Sequence, residues 1–300
     1  MDFRRTVRLL AVVVAGANLL AGCGGTDSAR AAGGRLKVVT TTTQLTDFAK
    51  VVGGPDVEVY GVLKANADPH DYEPSPADLH AIADADVILK NGVGIEKWLD
   101  KTLKSAEPKS APVDTSVGVA LRGRDPHIWH DPRNAKVMVG NVTRAFEKAD
   151  PDHAQAFEAR EAVYDAELDR LDTDIAGAVA TLSNKDVVTN HDAFGYFIDR
   201  YGLHYVGAVI PSFDTQAELS ARDISDLVAK IRATGVKAVF SESSLPPKTA
   251  EAIAREANVK VVAGDDALYG DTLGPPGSDG ATYLQMMRHN AKEIVDNLRG

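Results

Sequence analysis

Eight of the 300 residues are histidine, and three of these stand in short polar loops that follow strand-like apolar runs. His70 lies in Ala67-Asp68-Pro69-His70-Asp71-Tyr72-Glu73-Pro74, His127 in Asp125-Pro126-His127-Ile128-Trp129-His130, and His191 in Thr189-Asn190-His191-Asp192. A fourth loop of the same kind, from Leu268 to Gly274, offers Asp271. Imidazole and carboxylate are ordinary ligands of zinc and other first-row divalent ions, and three nitrogens plus one oxygen close a tetrahedral shell at about 2.0 to 2.2 Å. The four residues stand dozens of positions apart, so no local spacing announces a metal site; a fold must gather the loops. Taken singly, each loop histidine could be a cap or a satisfied polar residue, and Asp265 and Asp266 compete with Asp271 as the oxygen ligand. His130, three residues after His127, reads as a solvated turn residue ahead of Asp131-Pro132, or else as a stand-in ligand or gate. Glu242, just after a strand-like run, reads as a strand-end cap. His80, His153, His204 and His289 fall on helical or strand stretches with no matching partner, and Trp98 and Trp129 read as core or cleft wall.

The elements that must carry these loops alternate between short β-rich runs and helical stretches, which predicts an α/β protein built on parallel sheets. Four strands are expected in the first half, at 36–40, 57–63, 87–90 and 112–114, and four in the second, at 186–189, 204–208, 237–241 and 259–262. Ser75-Pro76 and Asp131-Pro132 are N-cap and N1 pairs that open helices, Ser220 with Asp223 forms a capping box, and a last helix is expected over 282–298. Between the halves Phe157, Tyr164, Leu168, Leu171, Ile175, Val179 and Leu182 recur at steps of three, four or seven, the stripe of one long helix. The expected architecture is two lobes, 35–150 and 184–300, each a mainly parallel four-stranded sheet with flanking helices, joined by one long helix over 151–183. In such sheets the loops at the carboxyl ends of strands converge on a crevice, so each lobe can contribute two of the four residues.

Arg4, Arg5 and Arg8 precede an apolar run that ends in Leu20-Ala21-Gly22-Cys23. The run has the length of a secretion signal and is too short to span a bilayer comfortably. Residues 1–22 are therefore expected to be a signal peptide, and the polar, glycine-containing stretch 23–34 a flexible tether. Leu-Ala-Gly-Cys resembles a bacterial lipobox, a class in which the cysteine is acylated and holds the protein to a membrane. Cys23 is the only cysteine, which rules out an intramolecular disulfide, a zinc ribbon or an iron–sulfur cluster. A net charge of −10 would repel phosphate backbones, so nucleic acid is not an expected partner. Loss of residues 1–22 removes three arginines and one aspartate and leaves the remainder more acidic still. Enzyme signatures are lacking: there is no G-x-S-x-G elbow, Walker A sequence or H-E-x-x-H helix, and Gly92-Val93-Gly94 reads as a turn without the third glycine of a dinucleotide site.

Four segments together resemble the TroA/ZnuA-like solute-binding proteins of zinc and manganese ABC importers. These are 68–76, 125–132, 191–197 and the terminal stretch from Tyr283 to Asn290, and the similarity runs from about 36 to 299. The resemblance implies a two-lobed α/β fold bridged by one long helix, with a metal in the cleft held by His70, His127, His191 and Asp271. It implies an acidic residue at Glu242 that orients a ligand or bridges the lobes. It also implies a monomer tethered through Cys23 to the outer face of the cytoplasmic membrane, an ABC permease and its ATPase as partners, and capture without catalysis. Zinc is the expected ion and manganese the alternative. Zinc-specialised members often carry a histidine-rich loop that is missing here, manganese-specialised members usually have glutamate where His191 stands, and a third imidazole favours zinc over oxygen-preferring manganese. A siderophore or other chelate receptor of the same architecture, or a surface adhesin stabilised by a metal, are the rival readings.

Overall fold

A computed structural model describes residues 34–299. The expected signal peptide, Cys23 and all of the tether but its last residue lie outside them. The first half of the chain runs β1 (Leu36–Thr40), α1 (Thr43–Gly53), β2 (Val57–Gly61), α2 (Pro76–Asp84), β3 (Val87–Lys90), α3 (Leu99–Ala106), β4 (Val113–Asp114) and α4 (Pro132–Ala149). After α5 (Ala154–Ala180) come β5 (Asp186–His191), α6 (Gly195–Tyr201), β6 (His204–Ile210), α7 (Ala221–Thr234), β7 (Ala238–Phe240), α8 (Lys248–Ala257), β8 (Lys260–Val262) and α9 (Tyr283–Leu298).

Each half forms a four-stranded sheet, in the order β2-β1-β3-β4 and β6-β5-β7-β8, and every strand pair is parallel. In both sheets the chain lays its second strand on one side of the first and its third on the other. That reversal opens a crevice at the carboxyl ends of the two central strands. The helix starts follow the cap chemistry: Ser75 and Ser220 make complete capping boxes with Asp78 and Asp223, and the Asp131 side chain accepts from the Arg133 N–H. The buried face of α5 is the apolar stripe Phe157, Tyr164, Leu168, Leu171, Ile175 and Val179. It belongs to one continuous apolar cluster that takes in Val38 of β1, Phe48 of α1, Val187 of β5, Phe240 of β7 and Tyr283 of α9. Among the described residues no helix is long and apolar enough to cross a membrane.

Several bounds differ from expectation for physical reasons. Pro151 opens a separate 3-10 turn, Pro151–His153, instead of the long helix. At 27 residues α5 therefore spans about 40 Å at 1.5 Å per residue. β2 ends at Gly61, because Val62 and Leu63 turn into a small apolar cluster beneath α2. β5 runs two residues past its expected end, where His191 pairs with Ile210, so His191 closes a strand and does not sit in a loop. Gly92, Val93 and Gly94 all have positive φ, the expected turn after β3.

Candidate metal centre

The four expected ligands come from four chain segments that end at the same crevice: the loop after β2, the loop after β4, the last residue of β5 and the loop after β8. His70, His127, His191 and Asp271 present ligand atoms that all lie within 4.8 Å of one another. Asp271 Oδ1 lies 3.3 Å from His127 Nε2, and its Oδ2 lies 3.3 Å from His191 Nε2 and 3.5 Å from His70 Nε2. The Nε2 atoms of His127 and His191 are 3.4 Å apart. A tetrahedron with bonds of about 2.0 to 2.2 Å has edges of about 3.3 to 3.6 Å, so these separations fit a first-row divalent cation. His70 Nε2 and both Asp271 oxygens are buried with no hydrogen-bond partner among the described residues. Buried polar atoms are normally paired, and three stranded ones facing a common point are a donor set for a cation. Asp265 and Asp266 occupy an unburied 3-10 turn outside this cluster.

Carboxylates behind the ring fix two of the imidazoles. Asp125 Oδ1 accepts from both the backbone N–H and Nδ1 of His127, at 3.0 and 2.7 Å. Glu242 Oε1 does the same for His191, at 3.0 and 2.7 Å. With Nδ1–H donated backward, the lone pair left to each ring is on Nε2, which faces Asp271. Glu242 reaches His191 because β7 lies beside β5. Its role is thus to orient an imidazole, beyond capping a strand end. Gly270 makes room for it, since a Cβ there would lie 1.9 Å from Glu242 Oε2. The sequence signal for Asp125 as a positioning residue is the repeated Asp-Pro-His at 68–70 and 125–127. The Asp271 loop is pinned to the first half of the chain: Gln44 Nε2 donates to the Asp271 carbonyl at 3.0 Å, Trp129 Nε1 to that of Gly270 at 3.1 Å, and the Leu273 N–H to Thr43 Oγ1 at 2.8 Å.

His130 is not solvated. It is fully buried, its ring 4.4 Å from that of Phe194, and neither nitrogen has a hydrogen-bond partner among the described residues. The 3-10 turn Ile128–His130 turns it inward, and burial pushes its pKa down to about 3. Of the other histidines, His153 pairs with Asp150, exposed His204 with Asp186, and His289 with the Ala267 carbonyl, and His80 lies on α2 away from the cluster.

Burial opposes charge throughout the cluster, but the opposite charges decide the outcome. Burial alone would lower His191, yet Asp271 and Glu242 hold it well above the usual imidazole range. His127 is raised in the same way by Asp125 and Asp271, against burial. Burial would raise Asp271, and His191 and His127 hold it well below the carboxylate range. His70, with less help, is lowered by burial. In the metal-free cluster, protons on imidazole stand where a cation would otherwise balance Asp271.

A doubly sheeted α/β fold with a buried three-histidine, one-carboxylate cluster between strand ends defines a metal-binding protein. The sequence profile of the periplasmic zinc-uptake complex component A, ZnuA, matches residues 38–297, and the chain belongs to that family. It is similar to the manganese-binding lipoprotein MntA of Bacillus subtilis (strain 168), with 31% identity over 97% of this chain and 99% of MntA. It is also similar to the iron ABC transporter substrate-binding lipoprotein MtsA of Streptococcus pyogenes serotype M1, with 27% identity over 93% of this chain and 94% of MtsA. The solved periplasmic zinc-binding protein TroA of Treponema pallidum superposes with a TM-score of 0.82 at 30% identity, covering 88% of this chain and 99% of TroA. Both the family and the fold thus match the TroA/ZnuA resemblance.

Proposed function

We propose that this protein is an extracytoplasmic solute-binding lipoprotein, anchored through Cys23 to the outer face of the cytoplasmic membrane. It captures a divalent transition metal at His70, His127, His191 and Asp271 and hands it to an ABC permease and its ATPase. Residues 1–22 would be the signal, 23–34 the tether, and 35–150 and 184–300 the binding lobes joined by the helix within 151–183. The observation that carries this reading is the set of four buried ligand side chains with tetrahedral spacing and stranded lone pairs. Their closure favours holding an ion over catalysis, since a catalytic zinc keeps a position open for water. It also disfavours an organic chelate, which needs a roomier cavity. The names of MntA and MtsA as lipoproteins support the anchor.

Zinc is the preferred cargo, because three imidazoles suit a borderline-soft ion better than manganese. The similarity to a manganese-binding lipoprotein supports manganese as the second reading. The test is calorimetric titration of metal-free protein with zinc and manganese, alone and in competition. Zinc displacing manganese at equimolar concentration supports the preference, and the reverse order assigns manganese. Absence of binding at micromolar concentration for either ion would refute the function. His70→Ala should lower affinity at least about a hundredfold, the loss of one ligand and the order expected when even a supporting partner costs 10–100-fold; unchanged affinity would remove His70 from the site.

A further inference from the structure

Three consecutive residues in the connection between β6 and α7 reach from the second half of the chain to the first. The Phe213 ring lies 6.3 Å from that of His127. Asp214 forms an ion pair with Lys97. Thr215, buried at 8% exposure, donates its hydroxyl to Asp68 Oδ2 at 2.6 Å. The other oxygen of that carboxylate, Asp68 Oδ1, accepts from the backbone N–H of His70 at 2.8 Å. One aspartate thus ties a side chain of the second half to the backbone of a proposed ligand in the first.

The three histidines are not secured alike. A buried carboxylate oxygen clamps His127 and His191 at both the backbone N–H and Nδ1. Asp68 reaches only the backbone N–H of His70, and no bond to His70 Nδ1 is found among the described residues. The His70 ring therefore has no carboxylate clamp of its own; its loop is tied to the second half through Asp68 and Thr215 and, further back, by the Asn66 N–H to the Leu273 carbonyl at 3.4 Å. Asp68 and Thr215 also line a cavity of about 430 Å³ together with Asp71, Asn190, Leu219 and Pro246, so their bond lies in the wall of an open space into which Asp68 can move once released.

We propose that Thr215 is a positioning residue that acts through Asp68: it keeps His70 in place and so sets the rate at which the bound metal leaves. Movement of 213–215 away from the first half releases Asp68, then His70, while His127 and His191 keep their clamps. The surface ion pair of Lys97 and Asp214 adds little by itself, because exposed pairs are worth little.

This inference rests on the metal-capture reading, and the test separates the two. Full-length mature protein is loaded with zinc, and release is followed by stopped flow after mixing with excess chelator. Zinc retention by the unmodified protein is measured first, and its absence would refute the capture reading itself. Thr215→Val keeps the shape and removes the hydroxyl; release should quicken about tenfold, the factor that ~1.4 kcal/mol represents and the order of one hydrogen bond to a charged group. Thr215→Ser should restore the slow rate, and the visible spectrum of the cobalt-substituted Thr215→Val protein should match the unmodified one, since the ligands are unchanged. Should Thr215→Val fold poorly, Thr215→Ala supplies the same readout. Release at the unmodified rate in a folded hydroxyl-free variant, or failure of Thr215→Ser to restore it, overturns the proposal.

Discussion

Glu242→Gln separates the charge behind His191 from the geometry it maintains. The amide oxygen of glutamine can still accept from the His191 N–H and Nδ1, which Glu242 Oε1 holds at 3.0 and 2.7 Å, so the ring keeps its tautomer and only the negative charge is lost. Loss of a carboxylate behind a metal-bound histidine costs 10–100-fold in affinity, and with the hydrogen bonds kept the expectation is the lower end, about tenfold or ~1.4 kcal/mol. Glu242→Ala would in addition strand two buried donors at ~1–3 kcal/mol each, a cost to the fold with or without metal that should lower the thermal midpoint. The sign of the pH dependence follows from the raised His191 pKa. A proton and a metal compete for Nε2, and Glu242 stabilises either cation. Where metal-free His191 is protonated the two gains offset, and the penalty of the glutamine is small; where it is neutral the penalty is felt in full. The ratio of unmodified to Glu242→Gln affinity, measured by chelator competition over a rising series of pH values, should therefore rise with pH. A ratio that falls as pH rises would refute the reasoning.

Asp125→Asn should behave toward His127 as Glu242→Gln does toward His191, with a loss of about tenfold in affinity by the same competition assay. Asp47, half-buried and accepting from the Tyr283 N–H at 2.9 Å, has its pKa raised to about 6 from 3.8, chiefly by burial. Its folded-state pKa exceeds the unfolded one, so the contribution of Asp47 to stability falls as pH climbs from about 4 to about 6 and changes no further above that. Asp47→Asn should remove that slope and gain about 1–2 kcal/mol near pH 8, partial exposure trimming the full linkage value, with no gain near pH 4; urea unfolding at both pH values reads it. Gly270→Ala would drive a methyl into Glu242 Oε2 and should lower both zinc affinity, by at least about tenfold, and the thermal midpoint; an unaffected variant would show that Glu242 has room to move.

The sheets were legible because each strand is a short apolar run between cap signals, and the ligand-bearing loops because strand ends in parallel sheets converge. Histidine and aspartate at four such ends are a candidate set on sequence alone. Orientation is legible only in part. Asp125 stands two residues before its histidine in the repeated Asp-Pro-His, but Glu242 points one oxygen at both donors of His191 from 51 residues away, a relation that no local spacing encodes. The burial of His130 is hidden for the same reason: its neighbours Asp131 and Pro132 announce a helix start and suggest a solvated turn, but the side of the preceding turn that faces Phe194 depends on packing from the second half of the chain. The start of α5 was misplaced because proline at a first helical position marks a 3-10 turn as readily as an α-helix, and Asp150 separates the two helices.

The apolar cluster that threads from β1 through α5 to β7 and α9 has a thermodynamic consequence. Each sheet also has a smaller apolar cluster of its own, around Val39 and Ile88 in the first and around Val188 and Val239 in the second, but the larger cluster is common to both, so the described part of the molecule should melt as one cooperative body, and a chain severed between α5 and β5 would leave each fragment with an apolar face uncovered. Any parting of the strand ends around a metal must then be accommodated by bending within one solid or by loops that lie outside it. The cargo sits at the seam of a single folding unit, so its affinity and the protein's resistance to heat are expected to rise and fall together.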